Sequence, residues 1–277
     1  MRNIAKHTII CLTTTVVCVL SGSVPLAHAG SIISLETITF GNSALNGTAT
    51  VYLEKDRMRI DSTEGGGDVT VIYNGSGQDN PFYWLIDNHR QTYIQIREEE
   101  LIEATRVMEN AMDAARAEIE KAPPDQRPRL EQIYAERIGY TGFLADETEY
   151  REVSKGIKIG EWKCAHYQGY RSETKIEEVW AAELAELGIE PEDLSGLTEL
   201  ADLFRTVGQT LPAFFRFGGD ETDVSETFPG FPVVVVTYKD GERAEKSTIK
   251  TVEQKLLEAS LFELPEGLTQ QDSPLGR

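Results

Sequence analysis

Cysteine is nearly absent from this chain: Cys11, Cys18 and Cys164 are all that 277 residues contain, and the first two lie in an apolar leader. Beyond that leader Cys164 stands alone. A single thiol makes no internal disulfide, so a core rather than covalent staples must hold the domain together. Cys164 itself reads as a buried small side chain rather than a reactive thiol. Histidine is equally sparse, with only His89 and His166 after the leader. Cys164 and His166 share a strand face, yet two ligands fall short of the three or four a zinc site needs. His89 reads as a solvated loop residue. No phosphate-binding or dinucleotide fingerprint follows a strand. Ser76 lacks the frame of a nucleophile elbow. Asp220, Glu221 and Asp223 have the composition of a calcium loop without its glycine and closing glutamate. Acids are too abundant for any carboxylate pair to stand out as an acid–base dyad. The expectation is therefore no catalytic residue, no metal, no cofactor and no enzyme.

Positive charge is also scarce. Lys and Arg number 27 against 46 Asp and Glu, a net charge of −19. Such a surface repels nucleic acid and anionic lipid headgroups, and nucleic acid is excluded as a partner.

What is present begins with the leader. Arg2 and Lys6 precede an apolar run over 8–20, too short to span a membrane. Ala27-His28-Ala29 then supplies the small residues of a cleavage site. These features predict a secretory signal peptide over 1–29, cut between Ala29 and Gly30, and a periplasmic location; an uncleaved anchor is the alternative. Thr15-Val16-Val17 ahead of Cys18 lacks the pattern of a lipoprotein site. Cleavage removes two bases and no acid, leaving 248 residues with 25 bases against 46 acids, net −21. That length supports one substantial domain, placed at 30–268.

The stretch "VYLEKDRMRI", 51–60, reads as two strands turning at Lys55-Asp56. Such a turn pairs Glu54 with Arg57, Leu53 with Met58, Tyr52 with Arg59 and Val51 with Ile60. One face then holds Val51, Leu53, Met58 and Ile60; the other holds an ion pair and a Tyr52–Arg59 cation–π contact. Val69, Val71 and Tyr73 fall on one face of the next strand. "FYWLID" and "TYIQI" flank a longer loop at Asn88-His89-Arg90. Later strands include one with a turn at Lys155-Gly156, one carrying Trp162, Cys164 and His166, and a return strand ending at Trp180. Four consecutive valines, 233–236, predict a strand buried on both faces. Asp240-Gly241 is a strong hairpin signal.

Two helical insertions interrupt the strands, near 98–138 and 183–217. In the first, Leu101, Ala104, Met108, Ala111, Ala115 and Ile119 make a stripe of three-four spacing up to Lys121. Ala122-Pro123-Pro124 ends it, and a second helix runs to about residue 138. The segment "EASLFELPEGL" reads as a closing helical turn and edge, and 269–277 as a disordered tail.

In order along the chain, "TVYLEKDRMRIDS", "VIYNGSG", "YWLIDNHRQTYIQI", "KAPPDQRPRLEQI", "IGEWKCAHYQGY", "EEVWAAELAELGI", "GFPVVVVTY" and "SLFELPEGL" resemble the bacterial family called domain of unknown function 4412. That family is similar to the lipoprotein-carrier superfamily, the LolA/LolB-like fold. The resemblance implies an α+β protein: a curved, open antiparallel half-barrel wrapping its inserted helices, exported, with an apolar cavity. It assigns no catalytic or ligand-gating residue. The expected occupant is a lipid or other apolar molecule, and the expected walls are Val51, Leu53, Met58, Ile60, Val71, Trp84 and Trp180. The alternative is an envelope protein-interaction or regulatory module whose helices fill the sheet permanently. Intact mass of the protein recovered from periplasm should correspond to a chain of 248 residues beginning at Gly30. A full-length mass would refute the cleavage.

Overall fold

The computed structural model describes residues 29–63, 67–75, 82–127, 129–130, 133–134, 148–171, 173–199 and 228–273, apart from the side chains at 98, 101, 104, 105, 108, 109 and 112. The leader up to residue 28, Ser76 and the acidic loop with Asp220, Glu221 and Asp223 lie outside the described residues.

Six strands follow one another as antiparallel neighbours: β1 (Gly30–Thr39), β2 (Gly47–Glu54), β3 (Arg57–Ser62), β4 (Val69–Asn74), β5 (Phe82–Asp87) and β6 (Thr92–Arg97). Five more form a second meander: β7 (Glu149–Ile159), β8 (Trp162–Arg171), β9 (Thr174–Ala182), β10 (Phe231–Lys239) and β11 (Glu242–Lys255). β11 pairs with β1, so both meanders belong to one 12-stranded sheet that a short β12 (Thr269–Gln271) completes. The class is α+β, a curved and open antiparallel sheet with one parallel pair, β12 on β6.

The β2–β3 hairpin has the register that its residue pattern demands. Glu54 pairs with Arg57, Leu53 with Met58, Tyr52 with Arg59 and Val51 with Ile60. Lys55 takes a positive φ of 26° to make the turn. At the β10–β11 turn Asp240 and Gly241 have φ of 53° and 80°, the left-handed pair that matches strand twist. All four valines of β10 are buried. Val233, Val234 and Val236 join the main core, while Val235 packs with Tyr167, Val179 and Phe228 in a second cluster. Burial on both faces explains the unbroken apolar run.

Two expectations need correction. Lys155-Gly156 is no turn: β7 runs through it, with a bulge between Ser154 and Ile157 that Gly156 accommodates at φ 72°. The chain reverses at 160–161 instead. The tail is also ordered at its start. Thr269–Gln271 lie parallel to Thr92, Tyr93 and Ile94 of β6, and Thr269 N donates to Gln91 O at 3.0 Å. An edge strand offers unpaired backbone groups, and the tail satisfies them.

The first predicted helix is α1 (Glu98–Lys121). Glu100 accepts from the Arg97 N–H at 3.1 Å at its start. At its end Arg127 donates to the Glu120 and Ala122 carbonyls, satisfying groups that no further turn could. Only part of the expected stripe is core. Ala115 and Ile119 are buried, but Ala111, one turn earlier, is exposed. Leu101, Ala104 and Met108 have side chains outside the described set. Residues 129–130 and 133–134 continue helically, and Tyr134 donates to Glu118 of α1. The second insertion opens with α2 (Leu184–Leu187), stopped by Gly188 at φ 69°, then a 3-10 turn (Pro191–Leu194) and a helical stretch at 195–199. Its remainder, from 200, lies outside the described residues.

The sheet's other face is covered too. After β11 the chain turns across β1 to β6, laying Leu257, Leu261, Phe262, Leu264 and Leu268 on Ile32, Tyr52, Ile72, Trp84, Ile86 and Tyr93. Arg59 donates to Leu261 O and Asn74 to Phe262 O, at 3.1 and 3.0 Å, and Arg57 lies 4.7 Å over the Phe262 ring. Arg59 is thus engaged by this segment and by Asp61 at 2.9 Å, where the sequence suggests Tyr52. Phe262 is 2 % exposed. Phe262→Ala should cost about 3–5 kcal/mol, read as a lower urea midpoint at unchanged slope. A cost under about 1 kcal/mol would show that the segment is not part of the cooperative fold.

Candidate functional site

Alternation without bulges carries one apolar face through β1 to β5. On it stand Ile33 and Leu35, then Val51 and Leu53, Met58 and Ile60, Val71 and Tyr73, and Tyr83 and Leu85. Leu53 and Met58 are 0 % exposed, and Tyr73 stacks on Tyr83 at 4.8 Å. Five expected wall residues therefore come together: Val51, Leu53, Met58, Ile60 and, partly buried, Val71. Trp180 also packs against this core. Trp84 does not: it pairs with Ile72, and both point to the opposite face, under the C-terminal segment. Alternation alone forbids Trp84 from sharing a face with Val71, since Val71 pairs with Leu85.

The residues after α2 lie on the apolar face. Leu187, Ile189, Leu194 and Leu197 are buried in the same cluster as Leu53 and Met58. Close approach requires glycine at 196, where an added Cβ would sit 2.9 Å from a Tyr73 ring carbon and 3.2 Å from Met58 Cβ. One polar latch joins this segment to the sheet. Asp193, fully buried, accepts from Ser31 Oγ at 3.2 Å and from the Lys55 N–H at 3.4 Å. Ser195 donates to Lys55 O, and Gln254 reaches both Ser31 Oγ and Gly188 O.

A second polar group sits on β8 to β10. His166 stacks face to face on Trp180, centroids 4.4 Å apart and planes at 2°. Beside them the Glu178 carboxylate accepts from Tyr238 Oη at 2.7 Å, Lys175 Nζ at 3.1 Å and Gln168 Nε2 at 3.2 Å. Burial alone would raise the Glu178 carboxyl, but these donors outweigh it and hold it below the ordinary range. Burial pushes the His166 imidazole below its ordinary value, against the pull of Glu178. Cys164, two residues away, is buried, and its thiol is pushed up to about 11 by desolvation, so it stays protonated. His89 is exposed in the β5–β6 turn. Among the described residues no three His, Cys, Asp or Glu side chains gather as metal ligands.

Compared with known proteins, the chain matches no family model and no curated protein. Among solved structures it is similar to a LolA superfamily protein from Nitrosomonas europaea, at 7 % identity over 86 % of this chain and 91 % of that one, with a TM-score of 0.28. The strand order described above, rather than that distant likeness, establishes the architecture.

Sequence reading missed Asp193, Ser31 and the Glu178 cluster as members of any site. Glu178 and Asp193 are two acids among 46, and nothing local marks them. The periodicity of β9 did carry a hint: Glu178 has the same parity as Trp180, so a charge falls on a packed face.

The two depressed groups set a pH dependence. His166 and Glu178 each bind fewer protons folded than unfolded, so stability is complete above the ordinary imidazole value of 6.5 and is lost as pH falls. The loss through His166 comes first; the loss through Glu178 follows below the ordinary carboxylate value of 4.5. Urea midpoints taken from pH 7.5 downward should fall in these two stages, and His166→Phe should remove the upper one. A variant that keeps it would place that stage elsewhere.

Proposed function

We propose that the chain is an exported periplasmic binding module of the kind implied by its resemblance to the domain of unknown function 4412 family. A lipid or other apolar molecule is held between the β1–β5 face and the segment 184–199. One observation carries this reading. That segment covers the face through four aliphatic side chains, Leu187, Ile189, Leu194 and Leu197, and a latch centred on Asp193. Apolar contact is non-directional, so an acyl chain of similar area replaces those side chains at little net cost. The latch is worth only about 1–3 kcal/mol. Sites for small molecules are mostly apolar with a few placed polar groups, and this face has that composition. The leader supports export.

A second reading is favoured by the complete burial of Leu53 and Met58: the segment fills the sheet for good, and the acidic exterior meets an envelope protein. One experiment separates them. Protein isolated from its own periplasm should release roughly stoichiometric lipid into chloroform–methanol, and oleate added to a separate sample refolded free of lipid should raise its melting temperature. Neither lipid nor a shift would leave the permanently filled module.

A further inference from the structure

The pairs along β8 and β9 change character in order: Cys164 with Ala182, then His166 with Trp180, then Gln168 with Glu178, all on one face. The face passes from apolar to aromatic to charged within six residues of chain. Its middle contains an unsolved polar atom. Among the described residues His166 Nε2, which is buried, has no hydrogen-bond partner. It lies 4.0 Å from Glu178 Oε1, too far for a direct bond. Side-chain exposure is 13 % for His166 and 11 % for Glu178, so free solvent does not serve them well. A buried unpaired nitrogen costs about 1–3 kcal/mol, which a partner would recover.

The geometry specifies that partner. At a separation of 4.0 Å, one oxygen about 2.8 Å from each atom would bond to both. A hydroxyl can accept from an imidazole N–H and donate to a carboxylate at once. An anionic group would meet the Glu178 carboxylate. A cationic one would meet Lys175, whose Nζ is 3.1 Å from the same oxygen and 4.1 Å over the Tyr238 ring. We propose that His166 and Glu178 grip a neutral hydroxyl of the bound molecule, the polar end of a ligand whose apolar part lies against Trp180. This rests on the binding-module reading above and adds a headgroup class to it.

The test compares 1-monooleoylglycerol, which carries free hydroxyls, with methyl oleate, which carries none, on the full mature protein. Monooleoylglycerol should bind about tenfold tighter, and His166→Phe, which keeps a stacking ring but no nitrogen, should bring the two affinities together. Histidine-selective NMR on the unaltered protein gives a second readout that needs no variant at this position. His166 and the exposed His89 are the only two histidines beyond the leader, and His89→Asn assigns them. The His166 Nε2 resonance should move with monooleoylglycerol and not with methyl oleate. Equal affinities with an unmoved resonance would overturn the hydroxyl grip and leave the binding module standing. A resonance moved equally by both would mean a trapped water alone, and would also overturn it. Failure of both esters to bind would defeat the binding module and the grip together.

Discussion

The pairing of β1 with β11 is the constraint on which the sheet depends. Ten residue pairs, from Gly30 with Lys255 to Thr39 with Glu245, join the start of the domain to its last long strand. Within each meander neighbouring strands are consecutive in sequence, joined by hairpins except where the second insertion separates β9 from β10. Neither buries its apolar face without the other: the main core draws Ile33, Val51, Met58 and Tyr83 from one and Trp162, Cys164, Phe231 and Ile249 from the other. Closing a loop of that length is entropically expensive, and the gain appears only when both halves are in place. Gly30 marks how tight the junction is. An added Cβ there would lie 2.5 Å from Leu53 O and 2.6 Å from Leu257 Cδ1, so the first residue of β1 touches β2 and the C-terminal segment at once.

How much of this was legible depended on whether the signal was local. The four pairs of the β2–β3 hairpin follow from alternation alone, because a one-residue slip would bury Arg57 and Arg59. The limits of α1 follow from the change of period and from Pro123-Pro124. Bulges were only partly legible. Gly156 and Pro232 mark the irregularities at Ser154–Ile157 and between Pro232 and Val234 without saying whether the strand turns, ends or bulges there, and the one between Ser34 and Leu35 has no residue mark at all. The covering of the second face was hidden for another reason. Tyr52, Arg59, Ile72 and Trp84 mix polar with apolar, as a half-wet face does, and the leucines that meet them come about 200 residues later.

The site divides in the same way. Val51, Leu53, Met58, Ile60 and Val71 were readable as one surface because each sits in an unbulged strand. Trp84 was misplaced by residue type, its size outweighing its parity. The Asp193 latch depends on contacts with Ser31 and Lys55, more than 100 residues away, and a sequence so rich in acid gives such a residue no distinguishing mark. A buried carboxylate with donors from two other elements is a registration device as much as a source of stability.

The central position of β1 has a consequence for biosynthesis. A ribosome delivers this chain from its N terminus, and β1 emerges with β2 on one side and nothing on the other. Roughly 200 residues must follow before β11 arrives, on the order of 10–40 s at ordinary translation rates. Throughout that interval an unpaired ladder edge bearing Ile33 and Leu35 lies in the middle of the future sheet. Until β11 pairs with it, that edge offers its backbone to any other strand, so pairing between chains competes with folding over the same interval.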